Sequence, residues 1–270
     1  MTTARVPHTI AGLKAPPWVI PGLIREKTLT LITAPAHTGK SILALNIAMA
    51  AASGHEILGS KPTNQRNVLF CAWDAPKWDY AGIIRKLARG LGVVADTYPG
   101  LTPEIMDQHP LWPMAIMWDR VGIEGNNGRD FYVAAHRIFE HPLEHDPSPQ
   151  LIIFDTCREA HSADEQDNTA MADIMRLFKR LASEVPVVML HHPPHSEPGR
   201  ARGASVIEGS IDAHLVLSKS TELKTITATW RKNRGGDLPE LFKYKQLEDF
   251  DPRGKPRIKL KINLEYPLIK

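Results

Sequence analysis

The 270-residue chain has only two cysteines and no long apolar run. Cys71 and Cys157 each adjoin an apolar stretch, which excludes a disulfide-rich scaffold and fits reduced thiols without a nucleophilic or metal-binding role. No run approaches the ~18 consecutive apolar residues of a membrane span. Residues 1–13 also lack the charged-then-apolar order of a secretory signal. We therefore expect a globular, cytoplasmic protein that does not enter a membrane.

Acidic residues are scarce at the carboxyl-terminal end. Residues 219–270 hold 13 Lys or Arg against 7 Asp or Glu, a net charge of +6, although the whole chain carries only +3. Residues 1–218 therefore carry −3. A basic excess of this kind is either a solvated face or a surface that binds a polyanion.

A Gly-Lys-Ser sequence lies between an apolar β-branched run and an alanine-rich run. The stretch reads Ala34-Pro35-Ala36-His37-Thr38-Gly39-Lys40-Ser41. This context predicts a P-loop in which the backbone of residues 36–41 binds phosphate at a helix N-terminus. Lys40 would reach the β- and γ-phosphates of ATP, and the Ser41 hydroxyl would bind Mg²⁺. Ala34 occupies the place of the usual first glycine, so the loop must enter its turn without that residue's freedom in φ.

Strands and helices alternate along the first two thirds of the chain. The patterns predict strands at 28–33, 68–72, 151–154 and 187–190 and helices at 41–53, about 80–91 and about 169–184. Continuous apolar strands separated by amphipathic helices indicate an α/β fold with a mostly parallel central sheet flanked by helices. Short strands near 213–217, 224–231, 241–246 and 257–263 favour an antiparallel C-terminal extension of that sheet.

The same patterns suggest a division of the chain. We expect an N-terminal arm at 1–27, an ATPase domain at 28–246 and a basic C-terminal segment at 247–270. Residues 92–148 form an insertion of uncertain role with one plausible helix at 130–140. Whether Trp112, Met114 and Trp118 are core or a partner surface stays open.

Polar residues follow three predicted strands, where the carboxyl ends of parallel strands gather around a ligand. Asp155 ends the run Leu151–Phe154 and is the predicted Walker B acid that organises Mg²⁺. Asp74 follows the second strand and is the candidate for positioning the attacking water, although it could simply begin the turn before Pro76.

Histidines follow the next strand. His191 or His192 could contact the γ-phosphate, and we name His191 as a candidate catalytic residue. A zinc site formed with His195 is disfavoured, because adjacent strand residues point to opposite faces.

Two groups of cations could act on a phosphate. Arg200 and Arg202 lie in a polar loop that could contact DNA phosphates or be plain surface. Lys232 and Arg234 follow the alternating strand that begins at Thr225. A cation projecting from such a turn can complete the site of a neighbouring subunit, although a basic turn can also be surface alone.

The order of these motifs resembles the RecA-fold ATPases, in particular the plasmid RepA-type and DnaB-type hexameric replicative helicases. The motifs are Trp18 to Ser41, Asp74, Leu151 to Asp155, Leu190-His191-His192, Arg202 to Ala213 and Lys232-Asn-Arg234-Gly235. The resemblance covers about residues 18–246. We expect no primase-interaction domain of the DnaB type, so the compact RepA-type arrangement is the nearer likeness.

The resemblance implies a RecA-like P-loop NTPase that hydrolyses ATP with Mg²⁺. It also implies a hexameric ring acting on single-stranded DNA with replication partners. Lys232 and Arg234 would reach the adjacent nucleotide site, and loops 156–168 and 193–204 would contact DNA. The family normally has Glu at the position of Asp74, which is one methylene shorter.

Two other functions stay open. A nucleotide-gated assembly or scaffold protein with slow or no turnover is favoured by Ala34 and Asp74. A small-molecule kinase is less favoured, because no Arg-rich lid segment follows the central strands.

Overall fold

A nine-stranded sheet forms the centre of the molecule. The computed structural model describes residues 15–92, 114–139, 148–192, 205–220, 222–235 and 239–268. Its strands are β1 (Trp18–Ile20), β2 (Ile24–Arg25), β3 (Leu29–Thr33), β4 (Val68–Ala72), β5 (Met114–Met117), β6 (Leu151–Asp155), β7 (Val187–His191), β8 (Ala213–Ser220), β9 (Thr225–Asn233), β10 (Leu241–Phe250) and β11 (Pro256–Ile262). Its α-helices are α1 (Lys40–Ser53), α2 (Lys77–Gly90), α3 (Arg129–Phe139), α4 (Asn168–Glu184) and α5 (Ser205–Ser210).

The strand order is β11-β10-β9-β8-β3-β7-β6-β4-β5. Strands β8, β3, β7, β6, β4 and β5 run parallel, whereas β9, β10 and β11 add antiparallel strands beyond β8. Strands β3, β4, β6 and β7 are buried along their whole length, as expected for a parallel sheet covered on both faces. The predicted α/β fold with an antiparallel extension is confirmed.

Helices cover the two faces of the sheet in separate layers. On one face, buried residues of α1 and α2 share a core with the inward side of β8, β9 and β10. On the other face, buried residues of α3, α4 and α5 form a second core. Helix α1 is alanine-rich and buried on nearly every side, because it lies between the sheet and other elements. Within the described residues, no helix is long and apolar enough to cross a membrane.

The described part of the predicted arm packs onto the domain. Strands β1 and β2 form an antiparallel ribbon, and Val19, Ile20 and Leu23 are buried in the core around α1. Gly22 turns the ribbon with φ 76°, and a Cβ there would stand 2.8 Å from the carbonyl oxygen of Leu268. Only glycine fits this turn. The turn packs against Leu268, so the first and last described segments are in contact.

Part of the predicted insertion belongs to the sheet. Residues 114–117 form β5, the parallel edge strand beside β4, and α3 lies close to the predicted helix at 130–140. Met114 is in the core and Trp118 packs partly buried against it, while Trp112 lies outside the described residues. Sequence did not identify β5, because a four-residue apolar run has no decisive periodicity.

The basic C-terminal segment also continues the sheet. The suggested boundary at residue 246 falls inside β10, and β11 pairs with β10 from Pro256 to Ile262. Strand β11 then contacts α2, since a Cβ on Gly90 would stand 1.8 Å from the carbonyl oxygen of Ile258. The antiparallel extension thus curls around the layer formed by α1 and α2.

Candidate nucleotide site

The loop between β3 and α1 has the backbone geometry of an anion-binding turn. Gly39, just before α1, is left-handed with φ 98° and ψ 24°, a conformation that costs glycine nothing. A Cβ there would stand 2.9 Å from Oε1 of Gln246, so β10 lies beside the loop. His37 is also left-handed, with φ 60°. Ala34 is buried and keeps a negative φ, so its replacement of the usual glycine imposes no strain.

The N-terminus of α1 is open to an anion. No side chain caps the helix at Gly39, and the first turn contains no acidic residue. The first N–H groups of a helix lack partners within it, and the helix dipole favours negative charge there. The backbone of residues 36–41 therefore fits the predicted phosphate site.

Lys40 lies among polar groups at the carboxyl edge of the sheet. Its Nζ is 3.3 Å from Nε2 of His192, and the residue is 6% exposed. Burial lowers the pKa of Lys40, and the carboxylates of Asp155 and Asp74 oppose that shift.

Asp155 is fully buried at the end of β6. Its Oδ2 accepts a hydrogen bond of 3.0 Å from the hydroxyl of Tyr80, whereas Oδ1 has no hydrogen-bond partner among the described residues. Burial raises the pKa of Asp155, and the nearby Ser41 hydroxyl and Lys40 counteract that shift. Ser41 is close enough to favour the ionised form, although it makes no hydrogen bond of normal geometry to Oδ1.

These oxygen atoms fit a magnesium site. Mg²⁺ prefers oxygen ligands and is commonly held by one or two side chains together with substrate phosphates. Oδ1 of Asp155 is a buried acceptor without a partner among the described residues, and Ser41 supplies a hydroxyl in the first turn of α1. Both residues could hold Mg²⁺ here, and their roles as its ligands stay a prediction.

Asp74 is half-buried beside Lys40 and His192. Its backbone N–H and that of Trp73 both donate to the carbonyl oxygen of Asp155, at 3.0 and 2.9 Å, which joins the ends of β4 and β6. Nε2 of His192 lies 3.8 Å from Oδ1 of Asp74, an electrostatic contact longer than a normal hydrogen bond. His192 and Lys40 lower the pKa of Asp74, so this carboxylate is ionised near neutral pH.

His192, not His191, is the histidine that contacts Lys40. His191 is 2% exposed, and its Nδ1 lies 3.8 Å from Oε1 of Glu165 in the segment before α4. The two side chains separate because consecutive residues of a strand point to opposite faces. The geometry therefore places His192, and not His191, beside Lys40 and Asp74, while the γ-phosphate contact of either histidine stays a prediction.

Tyr80 is a site residue that the sequence alone does not reveal. It lies in the first turns of α2, fully buried, and its hydroxyl contacts both Asp155 and the backbone of Asp74. In sequence it reads as an ordinary core position of an amphipathic helix. Its only signal is the position six residues after Asp74.

Lys232 and Arg234 lie at the opposite edge of the sheet from the P-loop. The N–H of Arg234 donates to the carbonyl oxygen of Asp212, whose own N–H donates to Leu29 at the start of β3. Because β3 spans roughly 15 Å, these cations cannot reach their own loop. Arg234 contacts the Asp212 carboxylate at 3.0 Å, and Lys232 and Arg234 both donate to the carbonyl oxygen of Gly209.

The remaining candidates divide between described and undescribed residues. Arg200 and Arg202 lie outside the described residues. In loop 156–168 the cation is Arg158, which donates to the carbonyl oxygens of His161 and Ala163. Among the described residues, no group of three or more His, Cys, Asp or Glu side chains could hold a metal.

The two cysteines behave as expected for core thiols. Both Cys71 and Cys157 are free and buried. Burial raises the pKa of both thiols, that of Cys157 to about 12. A protonated, buried thiol is a poor nucleophile.

Comparison with solved structures identifies the fold. The chain is similar to flagellar accessory protein FlaH from Methanocaldococcus jannaschii, with a TM-score of 0.52 and 13% sequence identity. The match covers 90% of this chain and 91% of that one. At this identity the likeness extends to the fold alone. A comparison with curated proteins finds no match.

Comparison with family models identifies the family. The model described as AAA domain matches residues 3–198, which is more than half of the chain. That range contains the P-loop, Asp74, Asp155 and both histidines. The chain belongs to this AAA domain family and is a RecA-fold P-loop ATPase.

Proposed function

We propose that the protein is an oligomeric Mg·ATP-driven motor acting on single-stranded DNA, of the kind found in plasmid or phage RepA-like replicative helicases. One observation carries the proposal: Lys232 and Arg234 lie about one strand length from their own P-loop. Lys40 interacts electrostatically with both acids of the site, Asp74 and Asp155. Stabilising charge on a transferred phosphoryl group commonly needs a further cation. A neighbouring subunit's turn would supply it, which favours a closed ring, in our proposal a hexamer.

Each residue of the site has a defined role in this proposal. The N–H groups of residues 36–41 and the Lys40 ammonium bind the phosphates, and Ser41 with Asp155 holds Mg²⁺, which neutralises phosphate charge when bound. The Asp74 carboxylate orients the attacking water, and His192 beside it contacts the γ-phosphate end. Burial of the site keeps competing water away from Lys40 and Asp155.

A lysine face supports binding of a polyanion. Lys243 and Lys245 on β10 and Lys259 and Lys261 on β11 alternate along their strands, so all four side chains emerge from the same face of the sheet. Lys245 pairs directly with Lys261, an arrangement of like charges that destabilises a sheet. Bound phosphates would neutralise the repulsion between Lys245 and Lys261, so a polyanion-binding role accounts for this pair. By contrast, the exposed end of loop 156–168 contains Asp164, Glu165 and Asp167 and no Lys or Arg.

The decisive experiment measures ATP turnover with and without single-stranded DNA and unwinding of a forked duplex. We expect turnover to rise when DNA is added and the fork to be unwound only with Mg·ATP. Turnover that does not respond to DNA, together with an intact fork, would contradict the motor. Electron microscopy with a non-hydrolysable ATP analogue and DNA would show whether a ring forms with nucleotide between subunits.

A nucleotide-gated scaffold protein with slow turnover is the second candidate, and the short acid Asp74 favours it. The substitution Asp74→Glu separates the two candidates. If the shorter side chain limits water activation, the variant should hydrolyse ATP at least tenfold faster, because reach controls general-base efficiency. Unchanged turnover, with nucleotide affinity retained, would mean that Asp74 is not the water-positioning group.

A further inference from the structure

We propose that Tyr80 is a positioning residue that fixes the Asp155 carboxylate so that one oxygen, Oδ1, faces Mg²⁺. This inference rests on the proposed Mg·ATP site. It assigns a role in metal binding to a side chain that itself touches neither metal nor nucleotide.

The hydroxyl of Tyr80 bridges the two acidic residues of the site. It accepts from the backbone N–H of Asp74 at 3.3 Å and donates to Oδ2 of Asp155 at 3.0 Å. A phenol has one hydrogen to donate, and the alternative acceptor, the Asp155 carbonyl oxygen, is farther away at 3.5 Å. The donation therefore goes to the carboxylate, and Oδ2 is occupied.

The ring of Tyr80 cannot easily move the hydroxyl away. The residue is 1% exposed, and its ring makes edge-on contacts with Phe70 and Trp118, with centroids 5.9 and 6.3 Å apart. Aromatic pairs in this arrangement resist reorientation in a packed core. Burial and the Asp155 carboxylate also raise the pKa of Tyr80, so the hydroxyl keeps its proton at neutral pH.

Fixing one oxygen determines what the other can do. With Oδ2 held by Tyr80, rotation about the Cβ–Cγ bond is restricted, and Oδ1 is left as a buried acceptor without a partner among the described residues. A carboxylate held in one orientation loses less conformational freedom when it binds a cation. The same hydroxyl links this carboxylate to the backbone of Asp74, so both acids are placed by one group.

The substitution Tyr80→Phe removes the hydroxyl and keeps the ring. We expect the Mg²⁺ concentration that half-saturates binding of a fluorescent ATP analogue to rise about tenfold, a loss typical of removing the hydrogen-bond partner that orients a metal ligand. Binding of the same analogue in EDTA should not change, because Tyr80 does not touch the phosphate loop. The readout is equilibrium binding and does not depend on turnover.

Tyr244→Phe is the matched control. Tyr244 is buried in the same core, but its hydroxyl has no hydrogen-bond partner among the described residues. Removing that hydroxyl should leave the Mg²⁺ requirement unchanged. Equal Mg²⁺ requirements in Tyr80→Phe and the wild type would overturn the inference. A wild type that binds the analogue equally well with and without Mg²⁺ would instead contradict the proposed Mg·ATP site.

Binding in EDTA separates positioning from a general structural effect. A loss of analogue affinity that is equal with Mg²⁺ and in EDTA would mean that the tyrosine only supports the fold, and would overturn the inference. If Tyr80→Phe does not fold, a single 3-fluorotyrosine at position 80, which is a stronger donor, should lower the Mg²⁺ requirement. An unchanged or higher requirement would overturn the inference.

Discussion

At the scale of single residues, burial affects the charges of Lys40 and Asp155 more than pairing does. Burial is the largest influence on both Lys40 and Asp155, lowering the pKa of the first and raising that of the second. Both groups are therefore pushed toward their neutral forms, although each has an opposite charge nearby. A phosphate beside Lys40 and a cation beside Asp155 would each favour the charged form. Ligand binding and ionisation at this site should therefore be coupled.

Burial has a measurable effect on His214 as well. The residue is 3% exposed with Nε2 2.9 Å from Oγ1 of Thr33, and burial lowers the pKa of His214 to about 4 from 6.5. Below pH 6.5, His214 binds a proton in the unfolded chain but stays unprotonated in the folded chain until the pH nears 4. Protonation therefore favours unfolding. The free energy of unfolding is highest above pH 6.5 and falls as the pH drops toward 4.

We therefore expect His214→Gln to reduce the acid sensitivity of the fold. Between pH 7 and pH 5, the wild type should lose about 2 kcal/mol more free energy of unfolding than the variant. Denaturant melts at the two pH values measure this difference, with His55→Gln at an exposed position as the control. Equal losses in His214→Gln and the wild type would mean that His214 is protonated in the folded state.

At the scale of elements, β10 and β11 have an apolar buried side and a strongly basic exposed side. Their inward side chains, such as Tyr244 and Ile258, are buried in the core around α1 and α2. Their outward side chains form the lysine face, where Lys245 and Lys261 stand opposite each other. The β10–β11 hairpin therefore covers the core around α1 and α2 with one side and exposes the lysine face on the other.

Charge reversal should separate binding from stability at this face. Lys245→Glu creates an attractive pair with Lys261, so it should raise stability by a few tenths of a kcal/mol while weakening single-stranded DNA binding. Adding Lys261→Glu restores a like-charge pair, so stability should return to the wild-type value while DNA binding weakens further. Thermal melts and fluorescence anisotropy measure the two effects.

Salt dependence tests whether phosphates are the target of the lysine face. The slope of log affinity against log salt should become shallower by about 0.7 for each DNA phosphate that the variant no longer neutralises. Arg176→Glu, at an exposed position on α4, is the control and should leave the slope unchanged. Wild-type DNA affinity and slope in the double variant would exclude the lysine face as the DNA-binding surface.

At the scale of the whole molecule, the sheet separates two functional edges. The P-loop, Asp74, Asp155 and His192 lie at the carboxyl edge of the parallel strands, whereas Lys232 and Arg234 lie at the other. In the proposed ring, a subunit built this way would complete its neighbour's site and not its own. Ring formation and nucleotide hydrolysis would then depend on each other.

Mixing two inactive variants tests this dependence. Lys40→Met removes the phosphate-binding cation, and Arg234→Ala should lower turnover on the order of 10³-fold. A mixed ring contains sites with the P-loop of the Arg234→Ala subunit and the arginine of the Lys40→Met subunit. Random mixing of equal amounts should therefore restore about a quarter of wild-type turnover. Mixing Lys40→Met with a subunit carrying both substitutions should restore none. The absence of rescue in the first mixture would contradict the shared site.

Local patterns determined most of the fold and the chemical character of the site. The apolar strand 29–33 followed by Gly39-Lys40-Ser41 specifies a P-loop, because backbone geometry and helix propensity act over a few residues. The acids Asp74 and Asp155 are recognisable since each follows an apolar run that can only be a buried strand. The short strand β5 could not be recognised in this way, because its identity depends on pairing with β4.

Only the tertiary structure decided which side chains meet. Which histidine lies beside Lys40 depends on strand register. The hydrogen bonds of Tyr80 to Asp74 and Asp155 depend on how α2 packs against β4 and β6. The distance of Arg234 from the P-loop depends on the direction of β9. These are contacts between residues far apart in the chain. A sequence pattern reports the preferences of neighbouring residues, whereas packing and pairing between distant segments fix distances and orientations.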